Sequence, residues 1–228
     1  MNLLNKLAIS TILLIGTNSV YAGVQEELSQ LQKRWAEVNY TMKGEQQEAG
    51  FEALVSDAEK AVSTNTNSAE LLIWDGVIKA SFAGAKGGLG AMSLAKAAKA
   101  DFEKALTMDE RALHGSSYTN LGVLYFKVPG WPIGFGDDDK AKAFFEKALA
   151  IDSEGIENNY FYADYLLDQG QYAEAETYLL KAQNAAPRPN RPLADKERRA
   201  EITVALEKVR SKLTNKNKNT NASITDRR

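Results

Sequence analysis

Three stretches of this chain repeat one pattern of large and small side chains, and this repeat limits the possible folds more than any other feature. The segments KADFEKALTMDE (99–110), KAFFEKALAIDS (142–153) and ETYLLKAQNAAP (176–187) align without gaps. The alignment matches the large residues Phe102, Phe145 and Leu179 and, three positions later, the small residues Ala105, Ala148 and Ala182. Phe145 and Leu179 are 34 residues apart, and this period indicates stacked helix pairs that each bury an apolar face against the next.

Residues 156–189 form the most regular unit. Ala163 on its first helix (helix A) and Ala175 on its second (helix B) are small, so the two helices can approach closely. Leu166, Tyr172 and Leu179 fill the space between them, and Pro187 ends helix B. The unit resembles the tetratricopeptide repeat (TPR), and the resemblance is strong over residues 115–189. It implies an all-α TPR solenoid, a right-handed superhelix of about four helix pairs plus a C-terminal capping helix.

The repeat pattern divides the chain into seven segments. They are a signal peptide (1–22), a degenerate N-terminal helix pair (23–66), a TPR-like repeat with a glycine-rich insertion between helices A and B (67–112), a TPR with the insertion VPGWPIGFGDDD (115–155), a TPR (156–189), a capping helix (192–213) and a disordered tail (214–228). The capping helix is predicted from a single apolar stripe, formed by Ile202, Leu206, Val209 and Leu213, because the end of a solenoid needs one apolar and one polar side.

The first 22 residues have the three parts of a secretory signal peptide. Lys6 supplies positive charge, residues 7–15 form a short apolar stretch, and Ala22 is the small residue before the expected cleavage point. We therefore expect an exported, periplasmic protein that does not bind nucleic acid. The chain has no Cys, which excludes disulfides, thiol nucleophiles and a lipidated cysteine, and no later segment is apolar enough to span a bilayer. We accordingly expect no stable membrane anchor.

Two insertions are expected at the turn between helices A and B of neighbouring repeats. Residues 84–96, GAKGGLGAMSLAK, are predicted to form an expanded glycine-rich turn, because they lack the GKS or GKT that closes a phosphate-binding loop. Residues 128–139, VPGWPIGFGDDD, combine turn-forming Pro and Gly with apolar residues at alternate positions. Three Asp residues at 137–139 favour capping of helix B over calcium binding, since the ligand spacing of a calcium loop is absent.

Equivalent turns of a solenoid lie along one edge, so the two insertions should be neighbours in space. We expect one loop cluster flanking the groove, formed by Lys86, Gly88, Leu89, Trp131, Ile133 and Phe135. Two interpretations stay open for this cluster. It binds a partner, or Trp131 and Phe135 only fill the edge of the solenoid as structural packing.

The residues needed for catalysis are scarce in this sequence. His114 is the single histidine and falls between two repeats, so we predict no catalytic residue, no cofactor and no metal site. The concave face of a solenoid, lined by the A helices, is the usual surface for peptides or partner proteins. On that face we expect Tyr118, Asn120, Lys127, Asn159 and Tyr160. The leading interpretation is therefore a non-catalytic periplasmic scaffold that binds another periplasmic or envelope protein.

The paired insertions add a second resemblance. AGAKGGLGAMSLAKA and VPGWPIGFGDDDKA in adjacent repeats resemble a group of periplasmic TPR proteins that are similar to the T component of TRAP transporters, over about residues 70–213. The resemblance implies association with a substrate-binding protein and a pocket for small hydrophobic ligands. The alternative function is therefore a periplasmic protein that either binds a small apolar ligand, in a cavity beneath the two insertions, or is associated with a transporter. This chain lacks the lipidated Cys of T components, so only location and architecture are carried over from them.

Overall fold

The structure is a computed structural model that describes the backbone of residues 23–225 and the side chains of residues 23–215 apart from Leu89. The predicted signal peptide, with its cleavage point after Ala22, lies outside the described residues, as do residues 226–228. Across 23–225 the chain is helical and contains no β-strand; one isolated β-bridge joins Gly130 and Gly136.

Nine helices follow one another along the described chain. They are α1 (23–41), α2 (Gly44–Thr64), α3 (Ala69–Lys86), α4 (Gly88–Met108), α5 (Ala112–Lys127), α6 (Asp138–Ile151), α7 (Ile156–Asp168), α8 (Tyr172–Asn184) and α9 (Pro192–Thr225). The most extensive packing joins α3 to α4, α5 to α6 and α7 to α8, while α3 also contacts α5 and α5 contacts α7. The odd-numbered helices α3, α5 and α7 thus form one layer, as the A helices of an all-α TPR solenoid do.

Small residues on the A helices face the large residues that the sequence repeat aligns. A Cβ added to Gly76 would lie 2.7 Å from Cε1 of Phe102, and one added to Gly122 would lie 2.8 Å from Cδ1 of Phe145. Both phenylalanines are fully buried. These two repeats therefore each use a glycine to let the B helix place an aromatic ring against the A helix.

The ends of α3 and α6 are fixed by side-chain caps. The Ser68 hydroxyl accepts a hydrogen bond from the backbone N–H of Leu71 at 3.2 Å, and the Asp137 carboxylate accepts one from Lys140 at 3.0 Å. Asp138 and Asp139 follow in the first turn of α6, where negative charge suits the helix dipole. The capping role predicted for the three Asp residues is confirmed.

The glycine-rich insertion is not the expanded turn that we predicted. Helix α3 continues to Lys86 and α4 begins at Gly88, so Gly87 alone separates them and adopts a positive φ of 62°. The inserted residues instead lengthen the helix pair, to 18 and 21 residues against 13 each for α7 and α8. The physical reason is that most residues of AMSLAK are good helix formers, and two successive glycines with positive φ, Gly87 and Gly88, suffice for the reversal.

Helix α9 continues beyond the predicted capping helix. Its stripe of Ile202, Leu206 and Val209 is buried in the main core, as a capping helix requires. The backbone then stays helical to Thr225, where the sequence predicts a disordered tail from residue 214. After Pro192 this segment contains neither Pro nor Gly, so no residue breaks the helix.

Candidate functional site

The loop between α5 and α6, residues 128–137, presents two apolar side chains to the surroundings. We call it the Trp131 loop. Trp131 is 90% exposed and Ile133 is 73% exposed, whereas Phe135 is half-buried with its ring 5.5 Å from that of Tyr125, edge to face. Fully exposed large side chains are unusual on a folded surface when they stand side by side, and such patches are typical of interaction sites.

The backbone of this loop is held in place at several points. Ile133 and Gly134 donate to the carbonyl of Gly130, both at 3.1 Å, and Gly136 donates to that of Pro129 at 3.0 Å. Asp137 donates to the carbonyl of Tyr125 on α5 at 2.9 Å. These hydrogen bonds and the anchored ring of Phe135 hold the backbone from which the two exposed side chains project.

The two insertions are in contact. A Cβ added to Gly134 would lie 2.8 Å from Cε of Met92, in the second turn of α4. Lys86 and Gly88 lie at the junction of α3 and α4 that precedes this point, and the Lys86 ammonium is 5.1 Å from the centre of the Phe82 ring. The two backbone segments of the predicted loop cluster therefore lie along one edge of the solenoid. A binding role for this cluster stays a prediction.

The concave groove is covered by the chain itself. Residues 188–201, which we call the C-terminal strap, run from α7 to the N-terminal helices. Leu193 and Ala194 pack in the apolar cluster of α1, α2 and α3, and the guanidinium of Arg191 lies 4.9 Å from the Trp74 ring centre and 5.8 Å from that of Trp35. The strap therefore occupies the surface on which solenoids commonly bind peptides.

Ion pairs hold the strap on α7. Glu157 contacts Arg188 at 3.0 Å and Arg198 at 2.9 Å, and Arg188 also contacts Asp195 at 2.6 Å. Burial disfavours the charged form of Glu157, but the charges of Arg198, Arg188 and Arg191 outweigh it and hold the pKa of this carboxyl below its ordinary value. Arg198 is buried and pairs with Glu201 as well, and its guanidinium lies 4.3 Å from the ring centre of Tyr160.

Two cavities remain beneath the strap. The first has a volume of about 220 Å³ and lies among α1, α3, α5, α7 and the strap. The second, about 290 Å³, lies next to it. The two cavities share four of their lining residues, which are Trp74, Ser116, Glu157 and Arg191. Arg191 therefore borders both cavities.

The residues predicted for the concave face are divided among several places. Asn120 lines the first cavity, and Tyr160 is covered by Arg198 of the strap. Tyr118 stacks on Phe144 of α6 and donates to Glu110 at 3.0 Å. The groove face of α5 carries Ser116, Thr119, Asn120 and Val123, and position 118 is out of phase with that series.

Two further predicted residues are engaged within the fold. Lys127 is half-exposed and forms an ion pair with Asp164 of α7 at 2.7 Å. Asn159 is fully buried and donates to the carbonyls of Ser153 and Gly155, both at 2.9 Å. Because its amide is used to fix the α6–α7 turn, Asn159 does not present a binding group, and this part of the prediction is wrong.

A buried charge cluster joins α3 to α4 away from the groove. The Lys79 ammonium lies 2.9 Å from both Asp75 and Asp101. Burial raises the pKa of Asp75 to about 6 despite the hydrogen bond from Lys79, and Oδ1 of Asp75 has no hydrogen-bond partner among the described residues. We assign this cluster a structural role, since it borders no cavity described above.

Chemistry beyond binding has little support in the described chain. Within residues 23–215, no group of three His, Asp or Glu side chains could hold a metal ion. The single histidine, His114, is exposed and lies 3.6 Å from Asp152. It forms, with Leu113 and Gly115, a left-handed turn at the start of α5, in which all three φ angles are positive.

The residues that close the groove were not predicted from the sequence. Arg191, Arg198 and Glu157 were not among its candidates, because residues 188–192, RPNRP, looked like a linker between two helices. Trp35 and Trp74, which the strap covers, are both buried. The available signal is a pair of arginines, Arg188 and Arg191, just before the amphipathic helix α9, with Arg198 in its second turn.

Comparisons with known proteins agree with the fold. Residues 133–194 match the tetratricopeptide repeat family. No curated protein matches the chain. Among residues 23–225, no helix has both the length and the apolar character needed to cross a bilayer. The matched range contains α6, α7, α8 and the strap up to Ala194, so the identified repeat lies within an all-α TPR solenoid.

Proposed function

We propose that this protein is a non-catalytic scaffold that binds another protein, and that the Trp131 loop is the contact element. The observation that carries the proposal is the exposure of Trp131 and Ile133 on a loop whose backbone is fixed by its own hydrogen bonds. Preorganised aromatic side chains lose little entropy on binding and are common at the centre of interfaces. The TPR match supports a role in protein interaction.

The strap supports the loop rather than the groove as the contact surface. Arg191, Leu193 and Ala194 already cover the N-terminal half of the concave face. A peptide partner would have to displace them before it reached the A helices. The Trp131 loop needs no such displacement, so we place the partner there.

Affinity capture from an envelope extract with matched variants tests this proposal. The double variant Trp131→Ala, Ile133→Ala should lose a protein that the unchanged chain captures. Val204→Ala is the control, because Val204 is 65% exposed but lies on α9, and it should retain that protein. Equal recovery of the same protein by all three chains, each shown to be folded, would contradict the assignment of the loop.

We further propose that the protein acts in the periplasm after removal of residues 1–22, supported by the signal-peptide pattern around Lys6 and Ala22. Cell fractionation and N-terminal sequencing test this, with Gly23 expected as the first residue. A full-length chain in the cytoplasm would contradict it. The resemblance to T components supports one class of partner, namely the substrate-binding protein of a TRAP-type transporter.

A second candidate function is the binding of a small ligand. One observation favours it, the partly open cavity of about 220 Å³ between the A helices and the strap. This cavity lies beneath the strap and not beneath the two insertions. Deletion of residues 128–136 should therefore abolish capture of a protein partner and leave a small ligand bound, as native mass spectrometry would measure.

A further inference from the structure

We propose that the cavity beneath the strap is a binding site for a small organic monocarboxylate, whose charged group pairs with Arg191. The inference develops the small-ligand candidate and does not depend on the Trp131 loop. The two sites share no residue, so either proposal can fail without the other.

Arg191 borders the cavity without an ion-pair partner of its own. The neighbouring carboxylates are already paired, Glu157 with Arg188 and Arg198, and Asp195 with Arg188. Arg191 makes no ion pair with any residue in 23–215, and its Nε is buried without a hydrogen-bond partner there. A guanidinium has five N–H donors, and leaving buried donors unmet is costly unless a ligand accepts from them.

The environment of Arg191 adds to this imbalance. Burial and the charge of Arg188 lower the pKa of Arg191 to about 10, although the charges of Glu157 and Asp195 act in the opposite direction. An anion next to the guanidinium would raise the pKa of Arg191 again, because it stabilises the charged form in place of the water that burial removes. The rings of Trp74 and Trp35 lie beside the guanidinium, and its planar set of N–H donors matches a planar acceptor such as a carboxylate.

The walls of the cavity define the rest of the ligand. Apolar atoms supply the larger part of the lining surface, and the apolar residues are Trp35, Trp74, Val77, Ala80, Val123 and Phe161. The charged residues of the lining are Glu157, Arg191 and Arg198. Ser116 and Asn120 provide a few polar groups on one side, with the Asn120 amide donating to the Ser116 carbonyl at 2.8 Å. Small-ligand sites typically combine apolar walls with a few polar groups that fix orientation.

The charge balance favours a single negative charge. Two guanidinium groups line the cavity, but Arg198 is paired with Glu157 on the same wall and only Arg191 has no ion pair. A dianion such as a phosphate monoester would therefore carry more negative charge than this wall can balance. A carboxylate matches the planar fork of an arginine with two parallel hydrogen bonds. The ligand class is therefore a monocarboxylate with an aromatic or aliphatic body.

Tryptophan fluorescence of the full chain tests the proposal directly. The chain has three tryptophans, so Trp131→Phe leaves only Trp35 and Trp74, which both line the cavity. Phenylacetate is the probe, and phenylacetamide, which has nearly the same shape but no charge, is its control. We expect phenylacetate to change the fluorescence with a dissociation constant below about 1 mM, and phenylacetamide to bind at least about ten-fold more weakly.

Two variants in the same background test the assigned residue. Arg191→Gln should weaken phenylacetate binding at least about ten-fold. Arg210→Gln removes the same charge from an exposed arginine of α9 and should leave binding unchanged. Ala80→Leu keeps Arg191 but fills the cavity, and it should abolish binding in a protein whose thermal unfolding is unaltered.

Three results would overturn the proposal. They are equal binding of phenylacetate and phenylacetamide, equal binding by the Arg191→Gln and Arg210→Gln variants, and no fluorescence change of the folded protein at about 10 mM phenylacetate. If Arg191→Gln loosens the strap, hydrogen exchange will detect it, and Ala80→Leu then decides the question. The capture experiment on the Trp131 loop is unaffected by any of these outcomes.

Discussion

Gly122 and Phe145 show how one residue sets the distance between two helices. A Cβ on Gly122 would lie 2.8 Å from the Phe145 ring, which is fully buried. In the next repeat the aligned positions are Ala163 and Leu179, so a larger residue on helix A accompanies a smaller one on helix B. The total volume of the pair is thus kept nearly constant from repeat to repeat.

Gly122→Ala is therefore expected to destabilise the protein although alanine favours helix formation. We expect the free energy of unfolding to fall by about 1–3 kcal/mol, because the methyl group overpacks the core. The double variant Gly122→Ala, Phe145→Leu, which copies the α7–α8 pair, should lose about 1 kcal/mol less than the sum of its single variants. Urea denaturation measures all three.

Gly84→Ala is the matched control for that substitution. Gly84 also lies within a helix, but a Cβ there would meet no atom within 4 Å. Alanine should stabilise the protein by about 0.5–1 kcal/mol, since it favours the helix without any clash. Equal effects of the two substitutions would show that packing against Phe145 does not decide the result.

The Asp75 carboxyl is expected to titrate far from its ordinary range. Burial raises its pKa from 3.8 to about 6. Between these values the folded protein binds more protons than the unfolded chain, so this group's contribution to stability falls as the pH rises from about 4 to 6. The carboxyl carbon resonance, assigned with an Asp75→Asn variant, should show a midpoint near 6. A midpoint below 4 would contradict the burial argument.

At the scale of the element, different residues of the Trp131 loop set its backbone shape and form its exposed surface. Gly136 approaches the preceding chain so closely that an added Cβ would lie 1.8 Å from the carbonyl oxygen of Val128. Trp131, in contrast, is 90% exposed. The loop thus depends for its shape on a residue without a side chain and presents one of the largest side chains.

Gly136→Ala should consequently reduce the stability of the fold, whereas Trp131→Ala should leave it almost unchanged. The first is expected to lower the free energy of unfolding by about 1–3 kcal/mol, because the loop must open and the contact of Phe135 with Tyr125 is lost. The second should change it by less than about 0.5 kcal/mol. Thermal unfolding of both variants checks this contrast, and a large loss of stability in Trp131→Ala would show that Trp131 is a structural plug.

Sequence periodicity predicted most helices because their apolar residues recur at helical spacing. It predicted α5 to α8 and the apolar stripe of α9, and the match to the TPR family supports the repeat. It failed at residues 84–96, where four glycines suggested a loop. Glycine is a weak helix breaker, and packing of the lengthened α3 and α4 overrides it.

For the whole molecule, the strap converts an open solenoid into one whose first and last helices are joined. Glu157 on α7 lies between Arg188 and Arg198, while Leu193 and Ala194 pack near α1 and α3. Contacts of this kind span most of the chain length. They link the N-terminal cluster to the last repeat without passing through the helices between them.

Glu157→Gln should release the strap. We expect the free energy of unfolding to fall by about 2–4 kcal/mol, because two arginines lose their partner in a largely buried place. Hydrogen exchange should rise across residues 188–201. The loss should shrink as the pH falls below about 4.5, since the lowered pKa of Glu157 means that its contribution is lost when the folded carboxyl is protonated.

Glu176→Gln is the control for this change. Glu176 also joins α9 to the preceding repeat, through Arg210 at 2.8 Å, but this pair is more exposed. The substitution should cost less than about 1 kcal/mol and leave exchange in the strap unchanged. Equal costs for the two substitutions would show that the buried network does not hold the strap.

The sequence by itself determined the helix pairs, their small and large positions and the cap of α6, because these follow from contacts between residues close along the chain. Only the tertiary structure decided that the strap covers the concave groove, that Asn159 is buried and that Arg191 borders two cavities. The curvature of the stacked pairs brings α1 and α9 together, and curvature is a sum of small rotations between repeats that no local pattern records.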